Sequence, residues 1–331
     1  MPRLLAAPDK FRGTAPAPAV AEAMSEAARA GGWEATALPI SDGGEGLLDC
    51  FGGANRTSTV DGPLGAPVAA PWRLDDARAV IEMAAASGLA LVHGPNDPMA
   101  ASTRGTGQLV RAAIESGART VIVGAGGSAS TDGGRGAVEV LRDHAPLDGR
   151  SGVRVVVATD VRTRFVAAAT VYGPQKGADV AQVRELADRL ERLADRYAKE
   201  YGVSVRDLDG TGAAGGMAGG LVALGATIRP GFELVAEQLG LAPAVAAADL
   251  VLTGEGRLDP TSLRGKATGS LVQLCTRHGV RSAVIAGQIA AGFTPPFRAI
   301  DLTATYGPAR ARRKTLDCVR AATTSLLAEF G

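Results

Sequence analysis

Cysteine, histidine and aromatic residues are scarce in this chain, and the first two shortages each close a class of function. The three cysteines, Cys50, Cys275 and Cys318, lie far apart without CxxC or CxxH spacing. Neither a disulfide framework nor a zinc site is expected, and a reducing compartment fits. The three histidines, His93, His144 and His278, fall in turns or at a helix end, which leaves a hydrolase triad without its base. Aromatics are 4% of the chain while Gly numbers 44, the makeup of an Ala/Val/Leu/Gly-built α/β protein with many tight turns.

Long apolar runs and net charge are missing as well. No uncharged run reaches the roughly 18 residues that a membrane helix needs. The N-terminus, MPRLLAAPDKFRG, turns polar by Asp9, too early for a signal peptide, so a soluble cytoplasmic protein is expected. A net charge of +1 gives no global field to attract nucleic acid or an anionic membrane. A P-loop is absent: Gly265-Lys266 runs into Ala267, and no glycine stands five residues before Gly265.

At 331 residues the chain exceeds what one core usually serves, so two domains are expected. Strands are read at Arg3–Ala7, Ala35–Leu38, Ala79–Glu82, Thr120–Val123, Val153–Ala158, Ser282–Gly287 and Asp301–Tyr306, and another begins near Asp249. Thr57–Trp72 reads as a hairpin, and Ala181–Tyr201 as an amphipathic helix with Val183, Leu186, Leu190, Leu193 and Tyr197 on its core face. Both chain ends share the β-loop-α style. A discontinuous domain, residues 1–64 plus 245–331, with 65–244 inserted, is therefore expected.

The densest signal is GAGGSASTDGG (124–134), directly after a β-branched strand. Glycine turns bring bare N–H groups up to an anion, usually a phosphate. Gly124 to Ala129 also fits G-x-G-x-x-A, and Gly210 to Gly215 fits G-x-G-x-x-G. The second lacks the preceding strand and the first lacks a strand-borne acid about 20 residues on, which weakens a nicotinamide reading. Four more acid-and-glycine loops follow apolar strands: PDKFRG (8–13), SDGGEG (41–46), ATD (158–160) and TGEGRLD (253–259). All five are expected at one sheet edge. With Lys10, Arg12, Lys176, Arg264 and Lys266 they suit Mg-dependent phosphoryl transfer, in which carboxylates hold metal or accept a proton and cations neutralise phosphoryl charge.

These loops, with IEMAAASGL (81–89), ASTRGTG (101–107), YGPQKGA (172–178), GAAGGMAGGL (212–221) and TGEGRLDPTSLRGKA (253–267), stand in an order that resembles the bacterial type I glycerate kinases. The resemblance runs from residue 4 to about residue 290. It implies ATP- and Mg2+-dependent phosphorylation of D-glycerate, in most bacterial members at the 2-hydroxyl. It also implies two α/β domains, one Rossmann- or flavodoxin-like and split in sequence, the other inserted, with the site in the cleft between them; a mixed sheet is expected in the inserted domain. Two departures concern the inserted domain: Arg162-Thr163-Arg164 replaces the family's Asn-Pro, and the connection RDHAPLDGRSG is short. A third is the short arginine-rich tail after Tyr306.

Roles follow from the chemistry of glycerate. Asp160 is the first choice for the carboxylate facing the attacking hydroxyl, Asp42 the second. Lys10, Arg12 and Arg104 are candidates for the substrate carboxylate, Lys10 also standing with the catalytic groups. Asp9, Ser102 and Thr103 join the substrate set. Gly126, Gly127, Ser128 and Thr131 are assigned to phosphate, Gly254, Glu255 and Gly256 to the nucleotide, and Lys266 to its β/γ phosphates. Asp132 and Asp259 are the expected metal ligands, although Asp259 also suits a helix N-cap. A monomer and a homodimer both remain open. A nicotinamide oxidoreductase and a non-catalytic sugar-acid sensor are the competing readings.

Overall fold

The structure is a computed structural model and describes residues 1–263 and 265–330. Its strands are β1 (Arg3–Ala6), β2 (Glu34–Ala37), β3 (Arg56–Asp61), β4 (Pro67–Asp75), β5 (Arg78–Glu82), β6 (Thr120–Gly124), β7 (Arg154–Ala158), β8 (Thr227–Arg229), β9 (Leu250–Leu258), β10 (Arg281–Ile289) and β11 (Ala299–Asp301). They form two sheets in two compact units. One unit is Met1–Asp42, Asp49–Phe51 and Phe232–Gly331; the other is Gly43–Leu48 and Gly52–Gly231. The unit edges lie at Gly52 and Phe232 rather than near 65 and 245. Packing explains the second difference: Phe232 and Leu241 are buried with Leu5, Ile40 and Val251 of the first unit.

In the first unit all neighbours are parallel, in the order β2-β1-β9-β10-β11. This is the flavodoxin-type doubly wound order, whose switch point lies between β1 and β9. Side chains alternate between faces. Leu4 and Ala6 pack with Met24 of the helix Ala17–Ala30 and Leu326 of the helix Thr315–Phe330, while Leu5 and Ala7 pack with Leu271 and Cys275. Both faces are thus covered, as parallel sheets require.

The expected strand Asp301–Tyr306 is corrected: β11 ends at Asp301, and Leu302–Tyr306 is helical. Asp301 caps that helix by accepting from the Ala304 amide at 2.9 Å. The β-branched Thr303 and Thr305 suggest a strand, yet their hydroxyls donate to the Gly287 and Asp301 carbonyls at 2.7 Å. Such local bonds let these residues leave the ladder.

The second unit holds a mixed sheet, β3-β4-β5-β6-β7-β8, antiparallel at its first two junctions and parallel thereafter. Its core gathers Trp72, Ile81, Met83, Leu109, Val123 and Met217. The helix Val180–Tyr201 opens with a capping box between Asp179 and Gln182 and buries Leu186, Leu190, Ala194 and Tyr197. No helix among the described residues is long and apolar enough to cross a membrane.

Candidate functional site

The five acid-and-glycine loops do not share one sheet edge. PDKFRG and TGEGRLD follow or end strands of the first unit, while GAGGSASTDGG and ATD follow β6 and β7 of the second. Pairing decides this: β1 hydrogen-bonds β9, and β6 hydrogen-bonds β7.

Three loops meet in the second unit. A Cβ on Gly124 would lie 2.7 Å from the Gly43 carbonyl oxygen, and one on Gly43 would lie 3.0 Å from the Ala158 Cβ. Gly43 of SDGGEG thus sits against the ends of both β6 and β7. Gly127 takes φ +67°, the left-handed region in which glycine is at ease. The amides of Gly126, Gly127 and Ser128 make no hydrogen bond among the described residues. Consecutive open amides of this kind form an anion-binding nest.

Lys176, from the short helix Pro174–Lys176, is 6% exposed beneath this loop. Its Nζ donates to Ser128 Oγ at 2.7 Å and to the Ser130 carbonyl. Burial pushes its pKa down to about 8, against the raising influence of Asp132. Asn96 donates to the carbonyls of Ala129 and Lys176 at 3.1 and 2.8 Å. Ser130 Oγ, Thr131 Oγ1 and Asn96 Oδ1 are buried without a hydrogen-bond partner.

Asp132 holds its own surroundings together and also lines a neighbouring cavity. Its Oδ2 accepts from the Thr103 amide at 2.9 Å, the Thr103 hydroxyl at 2.8 Å and the Gly136 amide at 3.2 Å, and its Oδ1 from the Gly134 amide at 3.1 Å. Oδ2 is thus crowded with donors, while Oδ1 carries one. Thr103 is likewise committed, since its Oγ1 also accepts from the Ala137 amide at 3.1 Å. Ser102 Oγ accepts from the Arg104 amide at 3.1 Å, and Arg104 pairs with Asp61 at 3.1 Å. The expected substrate set Ser102, Thr103 and Arg104 is therefore engaged within its own unit. A cavity of 610 Å³ lies beside it, lined by Ser102, Thr131 and Asp132 and by Arg189, Arg192 and Arg196 of the long helix. Asp160, just past β7, accepts from the Gly231 amide at 2.8 Å through Oδ1.

In the first unit the acids collect at the switch point. The Asp9 amide donates to the Gly254 carbonyl at 2.8 Å, which locks the loop after β1 to β9. Burial pushes the Asp9 carboxyl up to about 6; Lys10, 3.6 Å away, opposes this and Asp42 reinforces it. Burial pushes Glu255 up to about 7, against the Ser262 hydrogen bond and the Lys266 charge. Glu255 Oε1 is buried without a hydrogen-bond partner.

Gly254 and Gly256 are demanded by packing. A Cβ on Gly254 would press on the Phe11 ring at 3.2 Å, and one on Gly256 on the Arg12 amide at 2.9 Å. Asp259 accepts from the Thr261 amide at 2.8 Å and the Thr261 hydroxyl at 2.5 Å, which holds its carboxyl below the usual range. It caps the turn Pro260–Leu263, whereas Lys266 occupies the N-cap position of the helix Ala267–His278. Arg264 lies outside the described residues.

No group of three or more His, Cys, Asp or Glu that could hold a metal is found among the described residues. Magnesium needs fewer protein ligands, since it usually takes one or two carboxylates plus substrate phosphates and water. Glu255, with its open buried Oε1 and the Asp9 charge close enough to raise its pKa, fits that demand.

The family model described as "Glycerate kinase family" matches residues 4–148 and 141–330. The glycerate 2-kinase of Escherichia coli (strain K12) is 37% identical over 325 residues, covering 87% of this chain and 85% of that one. A glycerate kinase of Halalkalibacterium halodurans is 38% identical over 296 residues, covering 78% of each. A crystal structure from Salmonella typhimurium LT2, carrying the provisional name glycerate kinase 2, superposes with a TM-score of 0.86 at 32% identity, over 99% of this chain and 98% of that one. On this fold, these loops and these relatives, the chain belongs to the glycerate kinase family.

Proposed function

We propose that this enzyme is a cytoplasmic kinase that phosphorylates D-glycerate to 2-phosphoglycerate with ATP and Mg2+. The observation that carries this reading is the run of open amides at Gly126–Ser128 at the end of β6, a phosphate nest in a chain whose relatives are named glycerate kinases. When bound, ATP supplies the transferable phosphoryl group and Mg2+ neutralises its charge. Asp160 takes the proton of the attacking hydroxyl as its oxygen bonds to phosphorus and the bond to ADP breaks; its Oδ1 is already oriented by the Gly231 amide. Asp42 is the second choice for this base. Glu255, with Asp9 beside it, would hold Mg2+, and Lys266, at a helix N-terminus, would neutralise phosphate.

Release of ADP in the presence of D-glycerate, ATP and Mg2+, followed in a coupled assay, tests the activity. Absence of glycerate-dependent turnover refutes it. Phosphorus NMR of the product separates the 2-phosphate from the alternative 3-phosphate.

A further inference from the structure

Lys176 carries a charge into the interior of the second unit, and no carboxylate meets it there. Its ammonium group has no ion pair among the described residues. The groups facing it are the Ser128 hydroxyl, the Ser130 carbonyl, the Tyr172 ring at 5.9 Å and, beyond hydrogen-bond reach, the charge of Asp132. The oxygens of Asp132 accept from backbone amides and the Thr103 hydroxyl, not from Lys176. A buried cation without an ion pair costs several kcal/mol, offset here only by hydrogen bonds, the Tyr172 ring and the more distant Asp132 charge.

The effect of this charge is visible at Ser128. Because Lys176 donates to Ser128 Oγ, the serine oxygen is an acceptor there and its own hydrogen must point elsewhere. Ser128 donates to nothing among the described residues, and neither do the amides of Gly126, Gly127 and Ser128 beside it. Ser130 Oγ and Thr131 Oγ1, two and three residues on, are also unpartnered.

We propose that Lys176 is the positioning residue of an oxyanion subsite: by donating to Ser128 Oγ it holds the Ser128 hydroxyl as a hydrogen donor beside the open amides of Gly126–Ser128, and these donors take a phosphate group. A tetrahedral phosphate, with three acceptor oxygens, matches three amides and a hydroxyl better than a two-oxygen carboxylate does. Which phosphate it is, that of a nucleotide or the free anion, rests on the kinase reading above.

The test is calorimetric binding of ADP, inorganic phosphate and D-glycerate to the full chain and to Lys176→Met, Ser128→Ala and the double variant, with thermal melting as a check on folding. Each single substitution is expected to weaken ADP binding by roughly ten- to a hundredfold, the range for a charge-assisted hydrogen bond. The double variant is expected to bind no worse than the weaker single one, because Lys176 acts through Ser128. Binding of D-glycerate is expected to be unchanged. A merely structural lysine would weaken all three ligands together and add to the serine loss. A folded Lys176→Met variant with native ADP and phosphate affinity overturns the proposal, as do fully additive losses or a loss confined to D-glycerate. If Lys176→Met fails to fold, Ser128→Ala decides alone, and native affinity there overturns it. Weakened inorganic phosphate with unchanged ADP assigns the subsite to the free anion and keeps it. Turnover by the unaltered enzyme is measured separately, so the kinase reading and the subsite fail independently.

Discussion

Asp132 and Thr103 share two hydrogen bonds, amide and hydroxyl of the threonine to one carboxylate oxygen at 2.9 and 2.8 Å. The pair joins the starts of two helices, Arg104–Glu115 and Arg135–Leu141, since Asp132 also accepts from the Gly134 and Gly136 amides. Asp132→Ala strips the Thr103 amide and hydroxyl and the Gly134 and Gly136 amides of their acceptor and is expected to destabilise the chain by about 2–4 kcal/mol. Urea unfolding measures this. An unchanged midpoint would return Asp132 to a ligand role.

Gly215 has φ +69°, and a Cβ there would stand 2.8 Å from both Lys176 Nζ and Thr131 Cα. Gly215→Ala therefore combines backbone strain with displacement of the buried lysine. A loss of about 2–3 kcal/mol is expected, together with weakened ADP binding. A melting temperature within a degree of the unaltered chain contradicts this.

Asp9 and Glu255 give the first unit a pH dependence whose sign is fixed by burial. Their folded pKa values, about 6 and about 7, lie above the ordinary carboxyl values of 3.8 and 4.5. Between the ordinary and the folded values the folded chain holds more protons than the unfolded one, so these two groups lower stability as pH rises from about 4 to about 7. The double substitution Asp9→Asn and Glu255→Gln is expected to flatten that part of the profile. Trp33 fluorescence during urea unfolding in a Trp72→Phe background reports the first unit, because Trp33 is buried in its core and Trp72 in that of the second. Equal slopes with and without the double substitution refute the assignment.

Asp160→Asn keeps an acceptor for the Gly231 amide but removes the proposed base. A fall in kcat of about 10²–10⁴ at nearly constant melting temperature is expected. Near-native turnover shifts the base role to Asp42, to be checked by Asp42→Asn.

The helix Val180–Tyr201 depends on its first turn, where the Asp179 carboxylate accepts from the Gln182 amide at 2.8 Å. Asp179→Ala is expected to cost about 1 kcal/mol without altering ligand affinity. Circular dichroism melts read the first effect and calorimetry the second.

What the sequence determined by itself is local or periodic. Strands such as Thr120–Val123, the core stripe Leu186, Leu190 and Tyr197, and the ordered glycine loops are written in neighbouring residues, because hydrophobic period and turn chemistry act over a few positions. The same order of motifs was enough to point to the glycerate kinase family. Tertiary structure alone decided what surrounds each acid. Asp132 looks like Asp160 in sequence, yet it accepts from the starts of two separate helices. Asp9 and Glu255 acquire their raised pKa values from burial at the junction of β1 and β9, strands far apart in the chain. Lys176 reaches Ser128 across 48 positions, a pairing that no spacing rule contains. Desolvation and donor saturation are properties of packed surroundings, so they exist only once distant segments have come together.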